Sequence, residues 1–182
     1  TMQGRYLVSS NVSRMEVSSA GLALNTTVNY GASVFVRDGG TLSATVVNSN
    51  GNVQVSSGGV ARDTELNFQG YLYVSPGGSA SGGNVHSYGR VYAYSNTTVC
   101  GFHVSYGGGL YGQGTSVTFD STVVSSGGDF NTGQSSGVRV LHTTINSNGS
   151  FWCQPGVNVT STTVMPGAFL GVSSGGKCYD AA

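Results

Sequence analysis

Apolar residues return to the same places along the chain in steps of 19. Counted from Met15, the step lands on Val34, Val53, Leu72, Val91 and Leu110; counted from Val17, it lands on Val36, Val55, Val74, Ala93 and Gly112. Ala23 leads to Leu42, Ala61, Ala80, Val99 and Thr118, and Val28 leads to Val47, Leu66, Val85, Val104 and Val123. The columns resume as Phe151 and Leu170, Cys153 and Val172, Val140, Val159 and Cys178, and Ile145 and Val164. That requires one longer repeat of 22 residues around 127–148, its additional residues expected within 129–137. Self-similarity at a fixed period of this size is the signature of a stacked repeat.

Inside each repeat the period is two. Val53-Gln54-Val55 and Leu72-Tyr73-Val74 put one face in and one face out, as a strand does. Gly-Gly pairs follow at Gly39-Gly40, Gly58-Gly59 and Gly77-Gly78, at points where the chain must turn sharply. A second glycine column runs Gly51, Gly70, Gly89, Gly108, Gly127 and Gly149. Beside it, Asn29, Asn48, Asn67, His86, Ser105, Val124 and Asn146 form a column read as a partial ladder of side-chain amides, each bonding to its equivalent one rung away.

A single rung has nothing against which to bury its apolar face, so equivalent rungs stack and pair in parallel, about 4.8 Å apart. The predicted fold is therefore all-β: a single-stranded parallel β-helix, or β-solenoid, of about 19 residues per rung. Right-handed crossover is the default for parallel strands. Residues 1–12 fit the columns poorly and read as a partial rung or N-terminal edge, and 13–182 read as solenoid. The next core position of the Val28 column falls at 183, so the array is expected to continue beyond Ala182.

Composition narrows the function. Glycine is 30 of 182 residues and charged residues are only 8%, against about 25% in an ordinary soluble domain. Seven Lys and Arg balance seven Asp and Glu. Seven dispersed cations make no basic stripe, so nucleic acid is excluded as a partner. No apolar run is long enough for a transmembrane helix. Little charge also means little repulsion against side-by-side contact with another copy.

The phrase Gly51-x-Val53-x-Val55-Ser56-Ser57-Gly58-Gly59-x-Ala61-x-x-Thr64, with its relatives over about 13–180, resembles the strand-loop-strand repeats of autotransporter passenger domains, nearest to the AIDA-type self-associating adhesins of Gram-negative bacteria. The resemblance implies a non-catalytic stalk displayed outside the outer membrane, anchored by a part not in this chain. It implies roles in adhesion, autoaggregation and biofilm, with host or bacterial surface glycans or proteins, or further copies, as partners. Some members of the family carry O-linked heptose on Ser and Thr. The three cysteines and many aromatics depart from the family's usual pattern.

Two groups of residues bear on chemistry. The outward position between the first two core columns carries Phe35, Gln54, Tyr73, Tyr92 and Tyr111, with Trp152 equivalent; Tyr71, Tyr94 and Arg90 lie beside it. Stacked, these rings form a stripe suited to sugar rings or a protein partner, or one that only supports the sheet. The titratable residues do not converge. Cys153 and Cys178 fall in inward columns on different walls, Cys100 in an outward one, and His86, His103 and His142 in three separate columns. Asp120 is placed in the Asp63 column and Asp129 near the longer repeat, the best position for a loop-borne site. No metal-ligand spacing occurs and no cofactor is called for. Three readings stay open: an adhesin, a carbohydrate-active β-helix enzyme or phage tail-spike segment, and an inert stalk.

Overall fold

The computed structural model describes residues 6–9, 13–48, 50–133 and 136–182. Among them every regular element is a strand, arranged in a nine-stranded and a thirteen-stranded sheet. One rung shows the plan. The strand Tyr71–Val74 lies in the nine-stranded sheet, a corner at Gly77-Gly78 leads to the strand Ser79–Val85 in the other sheet, and a second corner at 86–89 returns the chain to the strand Arg90–Tyr94 of the next rung. Equivalent strands pair in parallel, and nine strands stack in the smaller sheet. The fold is the β-solenoid that the period predicts.

The registers reproduce the core columns. Met15, Val34, Val53, Leu72, Val91 and Leu110 are successive partners. All but Met15 are fully buried, and burying each such side chain is worth about 1.5–3 kcal/mol. The column continues through Phe130, Phe151 and Leu170.

A kink sits in the middle of the longer strands. In Thr41–Val47, Leu42 faces inward, and so do Thr45 and Val47. A flat strand would send Leu42 and Thr45, three residues apart, to opposite faces. Ala44, at φ 53, supplies the odd step. The same site holds Asn25, Asp63, Gly82, Gly101, Ser121, His142, Ser161 and Asp180, all at positive φ. This left-handed residue folds the larger sheet into two faces, giving the rung a three-sided section.

The longer repeat differs from expectation. The step is 20 from Thr98 to Thr118, 21 from Thr118 to Arg139, and returns to 19 at Asn158. The three additional residues are thus divided over two rungs, not gathered in one 22-residue repeat. Both additions fall at the Gly-Gly corner. From strand start to strand start, Arg90 to Thr98 spans eight positions, Gly109 to Thr118 nine and Asp129 to Arg139 ten. The return corner stays at eleven, as from Thr98 to Gly109 and from Arg139 to Ser150.

This slip moves several expected positions by one. Phe119, not Thr118, follows Val99 in the core, and Val124, not Val123, follows Val104. Gly128 replaces Gly127 in the glycine column, donating its N–H to Ser125 as Gly108 does to Ser105. Asp120 pairs with Cys100 and so stands outside the Asp63 column. The larger Phe119 fits because Gly112 lies against it: a Cβ there would sit 3.0 Å from the ring. Phe119 then meets Phe130 edge to face at 4.9 Å, and Phe130 stacks on Phe151 at 4.4 Å.

The amide ladder also differs. No side-chain hydrogen bond joins Asn29, Asn48 and Asn67; their carbonyls close the corner instead, accepting from Ala32, Gly51 and Gly70. The left-handed residues of that corner include Tyr30, Asn50, Gln69, Ser87, Tyr88, Tyr106 and Asn148. The side-chain bond present in this column runs from Asn146 Nδ2 to Ser125 Oγ, at 3.1 Å.

Candidate binding surface

The outward face of the smaller sheet carries most of the expected aromatic residues, and the register decides which meet. Tyr73, Tyr92 and Tyr111 are successive partners. Their rings stack at 5.4 and 5.3 Å, with Tyr71 joining at 6.0 Å. Each is half-buried, one face against its neighbour. Burial comes first in raising the Tyr73 phenol above its ordinary range, followed by Tyr92 and Tyr71. Burial also raises Tyr111, against the lowering influence of Arg90.

The other expected residues stand apart from this ladder. Phe35 is separated by Gln54 and lies under Arg14 and Arg37, whose guanidinium carbons are 4.3 and 5.2 Å from its ring centre. Trp152 is separated from Tyr111 by Asn131 and packs on Phe169 at 4.7 Å. The stripe is therefore one continuous four-ring ladder with a detached ring toward either end. Arg90, beside the ladder, is held locally: its Nη1 donates to the carbonyls of Gly89 and Gly107, at 3.0 and 2.6 Å, and the guanidinium lies over Tyr111 at 5.7 Å.

Tyr94 has a separate role. It lies at the Gly-Gly-corner end of the face, where the rungs lengthen. There an open cleft of about 630 Å³ is lined by Tyr94, Tyr111, Gly112, Gln113, Gly114, Asn131 and Gly133. The sequence reading missed this cleft. It also missed Tyr30, Phe68, Tyr88 and Tyr106, which stand exposed on the opposite corner, Tyr106 at 75%. A signal existed for that corner, since Tyr30, Phe68 and Tyr106 share one 19-residue column.

The titratable groups pair locally. Asp120 Oδ1 lies 2.9 Å from His142 Nδ1 and accepts from Ser121 Oγ at 3.1 Å. The hydrogen bond from His142 is the main cause holding the Asp120 carboxyl below its ordinary value. Ser121 and His142 both meet this carboxylate and so do not form between them the serine-to-histidine link that nucleophile activation needs; such contacts occur singly elsewhere, His86 Nδ1 with Ser87 Oγ at 3.2 Å and His103 Nε2 with Ser125 Oγ at 2.9 Å. His86 lies 3.4 Å from Glu65. Asp129 stands on a strand, not a loop, paired with Gly109 and Ser150. Cys100, Cys153 and Cys178 are free thiols, and burial pushes Cys153 up to about 11. Among the described residues no group of three or more His, Cys, Asp and Glu is placed to hold a metal ion. Among them, too, no helix is long and apolar enough to cross a membrane.

Two comparisons bear on this architecture. Residues 3–51 match the family described as "Adhesin of bacterial autotransporter system, probable stalk". The fold is similar to that of the TibC-catalysed hyper-glycosylated TibA55-350 fragment, with a TM-score of 0.55 and 25% identity over 98% of this chain and 97% of that one. No curated protein matches the sequence. Repeat, solenoid and both likenesses point the same way: residues 3–51 match the autotransporter adhesin stalk, the whole chain shares the fold of the TibA fragment, and together they support an AIDA-type passenger.

Proposed function

We propose that this chain is a non-catalytic rod at the bacterial surface that makes weak, repeated adhesive contacts through its tyrosine ladder. Its partners are surface glycans or proteins of host or bacterium, and further copies of itself. The observation that supports the reading is the continuous stack of Tyr71, Tyr73, Tyr92 and Tyr111 on an outward face. Aromatic rings give a large contact area at small entropic cost. Repetition multiplies a weak contact into avidity. A balance of seven cations and seven anions sets no long-range repulsion against self-association.

The ladder also supports the sheet, so the test separates the two roles. Tyr73→Ser/Tyr92→Ser is compared with the parent chain for self-association, for adhesion to cells and for melting temperature. A large loss of adhesion with a small change in melting temperature is expected. Parallel losses would make the ladder structural and this segment a stalk.

A further inference from the structure

We propose that the cleft between Tyr94, Tyr111, Gln113 and Asn131 is a subsite for an uncharged pyranose, the terminal or penultimate unit of a neutral glycan. The proposal rests on the adhesive reading above but uses a different set of residues. Three properties of the cleft lead to it.

The first is shape. The cleft measures about 630 Å³, within the roughly 300–1,000 Å³ typical of small-molecule sites. It lies at the end of the face where the count between strand starts rises to nine after Gly109 and to ten after Asp129. Gly112, Gly114 and Gly133 line it without contributing a side chain, so backbone forms part of its wall.

The second is the set of polar groups. A sugar hydroxyl both donates and accepts, and so does a carboxamide. Gln113 is exposed and its amide has no hydrogen-bond partner among the described residues. Asn131 accepts the Gly133 N–H on Oδ1 at 2.9 Å. That bond fixes the carboxamide and leaves both Nδ2 hydrogens for a ligand. The rings of Tyr94 and Tyr111 add apolar faces of the kind that pack on the C–H face of a pyranose.

The third is charge. Among the described residues no charged side chain lines the cleft, so none of them offsets the cost of desolvating a sialic acid or a sulfated sugar. Selection is for neutral glycans. Tyr111 is both the last ring of the ladder and a wall of the cleft. A glycan seated in the cleft therefore has a continuous path from Tyr111 to Tyr92 and Tyr73.

The test is saturation-transfer NMR on the folded chain with lactose, cellobiose and N,N′-diacetylchitobiose, and with sialyllactose as the charged comparison. At least one neutral disaccharide is expected to receive saturation, and sialyllactose less. Gln113→Ala, which removes no internal bond, should weaken binding about five- to tenfold, the equivalent of one neutral hydrogen bond. Tyr94→Ala should weaken it further, with unchanged circular dichroism in both cases. Asn131→Ala also loses the Gly133 turn bond and is secondary. Binding that survives Gln113→Ala and Tyr94→Ala but is lost in Tyr73→Ser/Tyr92→Ser would overturn the cleft proposal and leave the adhesive ladder standing. Disaccharide binding lost in the cleft variants, with cell adhesion unaffected by the ladder change, would uphold the cleft and overturn the ladder. No transfer to any neutral disaccharide, or preference for sialyllactose, overturns the proposal outright.

Discussion

Phe102 stands directly opposite Gly83 in the ladder between the strands Ser79–Val85 and Thr98–Val104. A large buried ring thus neighbours the residue that has no side chain. Gly83 is itself fixed by its surroundings: φ is +132, and a Cβ would lie 2.1 Å from the Thr64 carbonyl oxygen. Gly83→Ala forces backbone against backbone. It should cost roughly 2–4 kcal/mol, read as a lowered urea midpoint. An unchanged midpoint would show that the strand can move aside.

The inward position after the kink carries a threonine column. Thr26, Thr45, Thr64, Thr122, Thr143 and Thr162 are buried, and the hydroxyls of all but Thr143 lack a hydrogen-bond partner. A buried hydroxyl without a partner costs about 1–3 kcal/mol. Thr64→Val keeps the branched shape and removes the hydroxyl, so it should raise stability by about 1 kcal/mol. A fall in the urea midpoint would mean that the hydroxyl is bonded.

Thiol chemistry should discriminate between folded and unfolded chain. Cys153 is fully buried and its thiol is raised to about 11, chiefly by burial and then by Cys178. At pH 8 about one molecule in a thousand carries the reactive thiolate. Iodoacetamide at that pH should leave Cys153 unmodified in the folded chain and alkylate it in urea. Mass spectrometry of tryptic peptides reads the outcome, and rapid labelling of the folded chain would contradict the burial.

Asp120 should titrate below its ordinary 3.8 because His142 hydrogen-bonds its carboxylate. The folded state then binds the proton less tightly than the unfolded state. The contribution to stability is present above about 3.8 and is lost as pH falls through the lower folded value. The pair is solvent-exposed, so screening keeps that contribution small, and the titration is the better readout. Carboxyl NMR should show a depressed midpoint that rises toward the ordinary value in His142→Ala, Ser121 still donating to the carboxylate. A midpoint indifferent to that change would remove His142 as the cause.

The core was legible through Leu110 because each column repeats without a gap and each position is apolar. Beyond it, counting alone lost one residue. Thr118 and Phe119 are adjacent, as are Val123 and Val124, and a strict step of 19 selects the first of each pair. Phenylalanine has far more to gain from burial than threonine, and weighing that would have placed the additional residue before Phe119. The threonine column was equally countable at Thr26, Thr45 and Thr64. The tyrosine ladder was legible for the same reason as the core, since outward residues share its register. The Arg90 contacts and the cleft were not, because they depend on where a corner carries the backbone and not on which column a residue occupies.

The two corners of each rung differ in what they admit. One accepts eight, nine or ten positions between strand starts while the ladders on both sides keep their pairing, and the other holds at eleven. Variation in length is thus confined to a single edge of the rod. A peptide grafted along that edge would be presented always at the same azimuth, at heights graduated by the strand spacing of about 4.8 Å. The molecule is in that sense a display rail, on which separate epitopes could be set at chosen intervals without redesigning the beam that carries them.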